Sequence, residues 1–393
     1  MHRTLLVAAV LAGAALVLSV LRDAFETMIL PRRLSRRRLT QSYYRGTWPL
    51  WSAASRRAFS GRRRENAISL FGPLSMLGLF VLWAVVLIAG FALIYYGLGS
   101  PLQTSEPLRG MGMDLYLSGT LFLTLGLGSV VPRTDLSRLL AVCEGGMGFG
   151  FVAVIISYLP VLYAGFSSRE ASIAMLDARA GSPPSASELL RRHAGNLDQL
   201  EIYLAEWERW SAQLLESHIS YPVLAYFRSQ HVNQSWLAAL TTLLDACSLL
   251  MAGSQAGCSR QAQRTFAMAR HAIVDLAQIF IRELPDKIPD RLPEDELAAL
   301  AKMLAAAGLP LVLKPEQVER LRELRQQYEP HVYAIARYLM LEPPHWMGDP
   351  AARDNWQRTP WDRPAGPGGR REGMVPRLRR PRRSPKATPE RHF

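Results

Sequence analysis

The longest uncharged apolar segment is the feature that most constrains this fold. Residues 68–98 contain no charged side chain over 31 consecutive positions. A helix needs roughly 20 apolar residues to cross the hydrocarbon core of a bilayer, so this segment is long enough to span a membrane. Residues 4–20 carry no charge, and residues 139–166 carry only Glu144. The sequence therefore predicts an all-α membrane protein with three spanning helices, at 1–21, 68–98 and 137–166.

The net charge of +13 suggests nucleic-acid binding only until its distribution is considered. Residues 22–67 hold twelve arginines against three acidic residues, and residues 351–393 hold eleven arginines and one lysine against four. Basic blocks beside apolar spans follow the positive-inside rule for membrane proteins. We therefore expect a protein of the inner (plasma) membrane, with 22–67 and 167–393 on the cytoplasmic face and no nucleic-acid partner.

Two interpretations of the first apolar segment are open. MHR followed by an apolar run resembles a secretory signal peptide. However, no small-x-small cleavage site follows, and cleavage would leave the arginine-rich block outside the cell, against the charge rule. A retained helix is therefore favoured.

The basic segment 22–67 also contains Tyr43, Tyr44, Trp48 and Trp51 among its arginines. One interpretation is an interfacial helix that binds anionic lipid headgroups. The other is that arginines and interface aromatics of this kind occur beside any membrane span. Both interpretations place the aromatic side chains at the membrane surface.

The loop between the second and third spans has an unusual composition. The stretch DLYLSGTLFLT (114–124) is apolar and helix-length, but it is too short to cross a bilayer. LGLGSVVPRTD (125–135) follows it. Non-helical backbone at membrane depth is tolerated only when it is buried in protein or lines a water-filled cavity. We therefore predict a re-entrant pore loop at 111–132.

The order of these elements resembles the pore module of potassium channels, whose filter signature is T-V-G-Y-G-D-x-x-P. The matching residues here are Thr124, Leu125, Gly126, Leu127, Gly128, Ser129 and Pro132. The chain is most similar to the bacterial two-span "ion channel" type, with an extra helix in front and a helical cytosolic tail. The resemblance covers residues 68–166.

The resemblance implies a homotetramer in which permeant K⁺ is held by the backbone carbonyls of Thr124, Leu125, Gly126 and Leu127, with no other cofactor. Gly126 and Gly128 are expected to supply the left-handed backbone positions, because glycine has no Cβ penalty there. Support from the pore helix is expected from Tyr116 and Ser118.

Three residues depart from the family pattern. Leu127 replaces the tyrosine whose hydroxyl braces the filter, Ser129 replaces an acidic residue at the outer mouth, and Leu123 replaces a second threonine. The departures leave two hypotheses open. One is a weakly selective cation channel, and the other is a non-conducting scaffold or regulatory subunit whose cytosolic domain binds a partner.

The third span contains three further candidates. Gly148 lies 20 residues after Gly128, where the family commonly places a gating hinge, although glycines also permit close helix packing. Pro160 removes a backbone donor and is expected to kink the helix. Glu144 is expected to bond to the pore helix or the filter backbone, or else to lie near enough to the outer surface to stay hydrated.

Residues 167–341 are predicted to form a helical cytosolic domain. Ser185 and Glu188 have the spacing of a capping box at a helix start. The stretch 284–293 is a proline-broken loop, and 316–342 is predicted as one helix. The Pro-, Gly- and Arg-rich segment 342–393 is predicted to be disordered.

No catalytic constellation is recognisable in the sequence. Its histidines form no HExxH motif, its three cysteines have no zinc or disulfide spacing, and no Gly-x-Ser-x-Gly elbow occurs. We therefore expect a protein that is not an enzyme.

Overall fold

The computed structural model describes residues 2–348 apart from 29, 31–38, 101, 105–109, 230–232 and 254–258. The first helices are α1 (His2–Met28), α2 (Leu39–Ala58), α3 (Gly61–Ser69), α4 (Phe71–Gly97), α5 (Met111–Phe122) and α6 (Asp135–Ala180). The C-terminal helices are α7 (Ala186–His193), α8 (Leu197–Ser220), a 3-10 helix (Pro222–Tyr226), α9 (Trp236–Gly253), α10 (Ser259–Phe280), α11 (Glu294–Ala306), α12 (Pro315–Gln326) and α13 (Glu329–Leu339). Strands β1 (Leu102–Thr104) and β2 (Val130–Pro132) form a small antiparallel pair. The all-α prediction is confirmed.

Four of the described helical segments are long and apolar enough to cross a membrane. Three of them contain α1, α4 and α6, which correspond to the spans expected from the sequence. The fourth, α9, is enclosed by other helices, and even its polar side chains Thr241, Thr242 and Asp245 are buried. Its apolar composition is therefore explained by its position at the centre of the C-terminal bundle.

Helix α1 packs closely against α4 through glycines. A Cβ built on Gly13 would overlap the carbonyl oxygen of Gly90, and one built on Gly97 would lie 2.6 Å from the carbonyl oxygen of Leu6. Small residues let membrane helices approach to backbone contact. The sequence interpretation gave these glycines no role.

A buried carboxylate joins three helices near the end of α1. Asp23 accepts hydrogen bonds from the Trp83 indole of α4 at 2.9 Å and from the Thr40 amide of α2 at 3.0 Å. Buried charge is costly unless it is hydrogen-bonded, so these donors fix the register of α1 against α2 and α4.

Three of the aromatic residues of α2, Tyr44, Trp48 and Trp51, pack against other parts of the protein. The Trp48 indole donates to the carbonyl oxygen of Tyr338 at 2.9 Å, and its ring packs on Phe71. The Tyr44 ring stacks on Tyr226 with 5.4 Å between centroids. Tyr44, Trp48 and Trp51 share one helical face, and that face docks between α4 and the C-terminal bundle.

Helix α6 continues through Pro160 and across the expected domain boundary at 166–167. The buried Arg169 guanidinium donates to the carbonyl oxygens of Leu224 at 2.9 Å and Phe227 at 2.8 Å. The membrane-spanning and C-terminal parts therefore share one helix. Helix α7 starts as predicted, because the Ser185 hydroxyl accepts from the Glu188 amide at 3.3 Å.

Two C-terminal predictions need correction. The single helix expected at 316–342 is two helices, α12 and α13. Pro330 lies in the first turn of α13, where a backbone N–H would have no partner within the helix, so proline is tolerated at a helix start. Residues 342–348 are packed rather than disordered, since Trp346 is buried against Arg291 and Arg325. The rest of the expected tail, 349–393, lies outside the described residues.

Candidate functional site

The segment predicted to form a pore loop begins with a short helix that ends in an irregular turn. Helix α5 follows Gly110, whose φ is +63°, and ends at Phe122. Hydrogen bonds from the Leu125 amide to the carbonyl oxygen of Thr120 (2.8 Å) and from the Thr124 amide to that of Leu121 (3.0 Å) close the helix end. The chain then continues without helical bonding to β2.

The backbone after α5 alternates in handedness. Thr124, Gly126 and Gly128 have φ of +57°, +60° and +70°, whereas the intervening leucines do not have positive φ. Alternation of this kind lets successive carbonyls point to one side. The left-handed geometry was expected for both glycines but not for Thr124, where a non-glycine residue at positive φ costs of order 1–3 kcal/mol.

The carbonyl oxygens of Thr124, Leu125, Gly126 and Leu127 accept no hydrogen bond from any residue that the structure describes. The same four residues are exposed on the single chain. Unpaired backbone carbonyls cannot face lipid, because nothing there replaces the lost hydrogen bonds. This backbone therefore requires water, a cation or another protein chain beside it.

A hydroxyl pair supports the outer end of this segment. The Ser129 hydroxyl donates to the Tyr116 hydroxyl oxygen of α5 at 3.1 Å. The Leu127 side chain is exposed instead of packing behind the loop. Pro132 lies in β2 opposite Leu102 of β1. Ser129, which was expected only to remove an acidic group from the outer mouth, thus supplies a bracing contact that Leu127 does not.

Glu144 is fully buried and joins three helices. Its carboxyl contacts the Ser118 hydroxyl of α5, and its other oxygen accepts from the Tyr95 hydroxyl of α4 at 3.1 Å. The expected bond to the pore helix is therefore present, and the hydrated alternative does not apply. Sequence reasoning missed Tyr95, because nothing local distinguishes it from the adjacent Tyr96 at the end of α4.

The geometry also constrains the proton at this site. The Ser118 hydroxyl lies 2.9 Å from the carbonyl oxygen of Ile88 as well as beside the Glu144 carboxyl. A hydroxyl has one proton and can donate to only one of these oxygens. Both contacts are satisfied together when the Glu144 carboxyl is protonated and donates to Ser118.

Comparison with known proteins identifies this region independently of its geometry. Residues 81–163 match the family model described as "Ion channel". The matched segment is similar to ion channels. It runs from α4 through the pore loop into α6 and covers about a fifth of the chain.

One curated relative also matches. It is an uncharacterized membrane protein, YdjJ, of Bacillus subtilis (strain 168), which is 23% identical over 209 residues. The alignment covers 52% of this chain and 59% of the relative. No solved structure matches this chain. The similarity therefore supports a membrane protein with an ion-channel-type domain and leaves the permeant ion undetermined.

Two candidate residues of α6 differ in their surroundings. Gly148 is buried, and a Cβ built on it would overlap the carbonyl oxygen of Phe122 at the end of α5. Close packing, one of the two roles open for this glycine, is therefore present. Pro160 is exposed within the continuous helix.

Proposed function

We propose that this chain forms a C4 homotetramer in which residues 124–129 of four copies build a cation pathway. The observation that carries the proposal is the row of exposed, unpaired carbonyls from Thr124 to Leu127. Carbonyl rings of this kind replace the hydration shell of K⁺ in potassium channels. One loop supplies a quarter of each ring, and identical subunits close with cyclic symmetry.

The pathway favours K⁺ over Na⁺ weakly and has low conductance. Leu127 provides no bracing hydroxyl, and Ser129 provides no acidic ring to concentrate cations at the outer mouth. The hydroxyl contact between Ser129 and Tyr116 offsets part of the lost bracing. The Thr124 hydroxyl adds a ring at the inner mouth, and the hinges for gating are Gly148 and Pro160.

The chain lies in the inner membrane with α1 retained, and residues 22–67 and 167–393 face the cytoplasm beside anionic lipids. The positive-inside pattern and the tight packing of α1 on α4 support this arrangement. The test is Ser60→Cys, which an impermeant thiol reagent should label only from inside. Labelling from outside contradicts the topology.

A second candidate is a non-conducting scaffold with a partner-binding C-terminal domain. The exposed leucines at 123, 125 and 127 favour it, because they make the loop surface of a single chain apolar. No acidic side chain lies in the filter to attract cations. Flux measurements separate the two candidates.

The test is K⁺ and Na⁺ flux in proteoliposomes that contain purified protein. We expect flux from the wild type and none from Gly126→Ala, because a Cβ is costly at φ +60°. Gly308→Ala is the matched control, because Gly308 also has positive φ (+93°) with open space around it but lies in the loop after α11. Its flux should be normal.

Two further variants test the departures from the family pattern. Ser129→Asp should raise cation flux, and Leu127→Tyr should sharpen K⁺ selectivity. If the wild type is silent and neither variant restores flux, the channel proposal fails and the scaffold replaces it. A stable monomer under mild detergent conditions would count against the tetramer.

A further inference from the structure

A cavity of about 470 Å³ lies where the membrane helices meet the C-terminal bundle. Its walls come from the end of α1, from α2, from the first half of α4, and from α6 at Tyr158. The opposite side is formed by the 3-10 helix, by the ends of α8, α10 and α13, and by the segment after α10. A volume of this size falls within the range of small-molecule sites in proteins.

The cavity wall is mainly apolar and aromatic. Helix α4 contributes Met76, Leu79, Phe80 and Trp83, all buried in the protein. A cavity holds ordered water stably only where polar groups offer it several hydrogen bonds. An apolar occupant therefore fits this wall better than water does.

The charged groups of the lining are arranged asymmetrically. Arg45 and Arg282 are exposed, on α2 and just beyond the end of α10. Among the described residues of the lining, the acidic one is Glu26, which is buried and paired with the Arg22 guanidinium at 3.2 Å. The accessible charge at the cavity is therefore positive, which suits an anionic group.

The position of the cavity along the spans indicates the source of the occupant. The α4 residues in its wall lie in the first half of that helix, next to the basic segment, and Met28 lies at the end of α1. Both belong to the ends of spans that adjoin the arginine-rich block, which is the level of lipid headgroups. At this depth a molecule with an apolar chain and a charged head can place its chain in the apolar region and its head at the membrane surface.

We propose that this cavity binds an acyl chain with an anionic head group, with the chain against the α4 wall and the head at Arg45 and Arg282. The occupant contacts Tyr158 of α6, whose ring packs edge-on against Phe80 and Tyr221. It therefore touches the long helix that follows the pore loop as well as the C-terminal bundle. The inference does not rest on conduction, because its test measures binding.

The test uses the purified full-length protein in nanodiscs with phosphatidylglycerol that carries a photoreactive diazirine in one acyl chain. We expect crosslinks in peptides that contain residues 76–83 or 219–226, lost when unlabelled phosphatidylglycerol is in excess. Phosphatidylcholine with the same reactive chain should label these peptides about 25-fold less, since each of the two arginines contributes about a factor of five to anionic lipid binding. Excess palmitate distinguishes two kinds of occupant. If the site accepts a fatty acid, palmitate competes and the crosslinks are lost, and if the site requires a phospholipid, the crosslinks remain.

Two pairs of variants provide the controls. Val223→Trp fills the cavity and should abolish the crosslinks, whereas Val81→Trp, on the exposed face of α4, should leave them unchanged. Arg282→Glu should reduce them, whereas Arg264→Glu, exposed on α10 away from the cavity, should not. The proposed binding site is overturned if Val223→Trp and the wild type are labelled equally, or if labelling of the wild type does not saturate. Equal labelling by phosphatidylcholine overturns the anionic requirement.

Discussion

The contact between Gly148 and the end of the pore helix predicts that one added methyl group destabilises the pore module. A Cβ at position 148 overlaps the carbonyl oxygen of Phe122 and lies 2.8 Å from its carbonyl carbon and 2.9 Å from its Cα. These are backbone atoms of the last residue of α5, two residues before Thr124. They cannot rotate away as the end of a flexible side chain could.

The magnitude follows from two opposing effects. Replacing glycine by alanine inside a helix normally stabilises it by roughly 1 kcal/mol. Overpacking a rigid contact costs about 1–3 kcal/mol. We therefore expect Gly148→Ala to lower stability by up to about 2 kcal/mol per chain. Gly150→Ala, two residues along α6 with open space around its Cβ within the chain, should raise it by about 0.5–1 kcal/mol.

The assay is thermal unfolding of the two variants and the wild type, purified in the same detergent. Gly148→Ala should unfold at a lower temperature than the wild type, and Gly150→Ala at the same or a higher temperature. A Gly148→Ala variant at least as stable as Gly150→Ala would refute the packing argument. Altered flux in Gly148→Ala without lost stability would identify the glycine as a hinge alone.

Three further predictions concern buried groups. Glu144→Gln should retain wild-type stability because an amide can replace a protonated carboxyl as donor and acceptor, whereas Glu144→Ala should cost about 1–3 kcal/mol in thermal unfolding by leaving hydroxyl groups unpaired. Burial, with Arg169 nearby, lowers the pKa of His218 from 6.5 to about 3. As the pH falls, His218 is therefore protonated in the unfolded chain before it is protonated in the folded chain. The contribution of neutral His218 to the free energy of unfolding is complete above pH 6.5 and is lost as the pH falls towards 3. The loss is at most about 5 kcal/mol. His218→Gln should flatten the dependence of unfolding temperature on pH, and an unchanged slope would contradict the assignment. Trp346→Ala should cost about 3–5 kcal/mol in the same assay, and a neutral effect would show that this segment contributes little to the fold.

The parts of the fold that carry local signals were predictable from the sequence. Three long apolar segments, of which one contains a single charged residue, predicted the spans, because the bilayer sets their length. The apolar stretch 114–124 and the glycines at 126 and 128 predicted the short helix α5 and the left-handed backbone that follows it. The Ser185 capping signal gave the start of α7. In each case the residues that determine the local structure lie within one short segment.

The parts that depend on long-range contacts were not predictable. Glu144 meets Tyr95 across 49 residues and Ser118 across 26, and no local pattern marks a tyrosine as the partner of a buried carboxyl. Trp48 bonds to Tyr338 across 290 residues, so its place in a protein contact could not be read from the basic segment. Trp346 lies in a segment whose composition predicts disorder, but contacts with Arg291 and Ser187, both distant in sequence, hold this segment on the bundle.

The continuity of α6 restricts how the C-terminal bundle can act on the proposed pore. Gly148 and Arg169 are separated by about 32 Å of helix at 1.5 Å per residue. Gly148 is held against the backbone of Phe122, and Arg169 is held by two carbonyl oxygens of the segment Leu224–Phe227. Breaking hydrogen bonds to a buried guanidinium is costly, so Arg169 and its partners move together. A displacement of the bundle must therefore rotate α6 as a lever or bend it between these two anchors. Pro160 lies between them and removes one hydrogen bond from that stretch, so bending is least costly there.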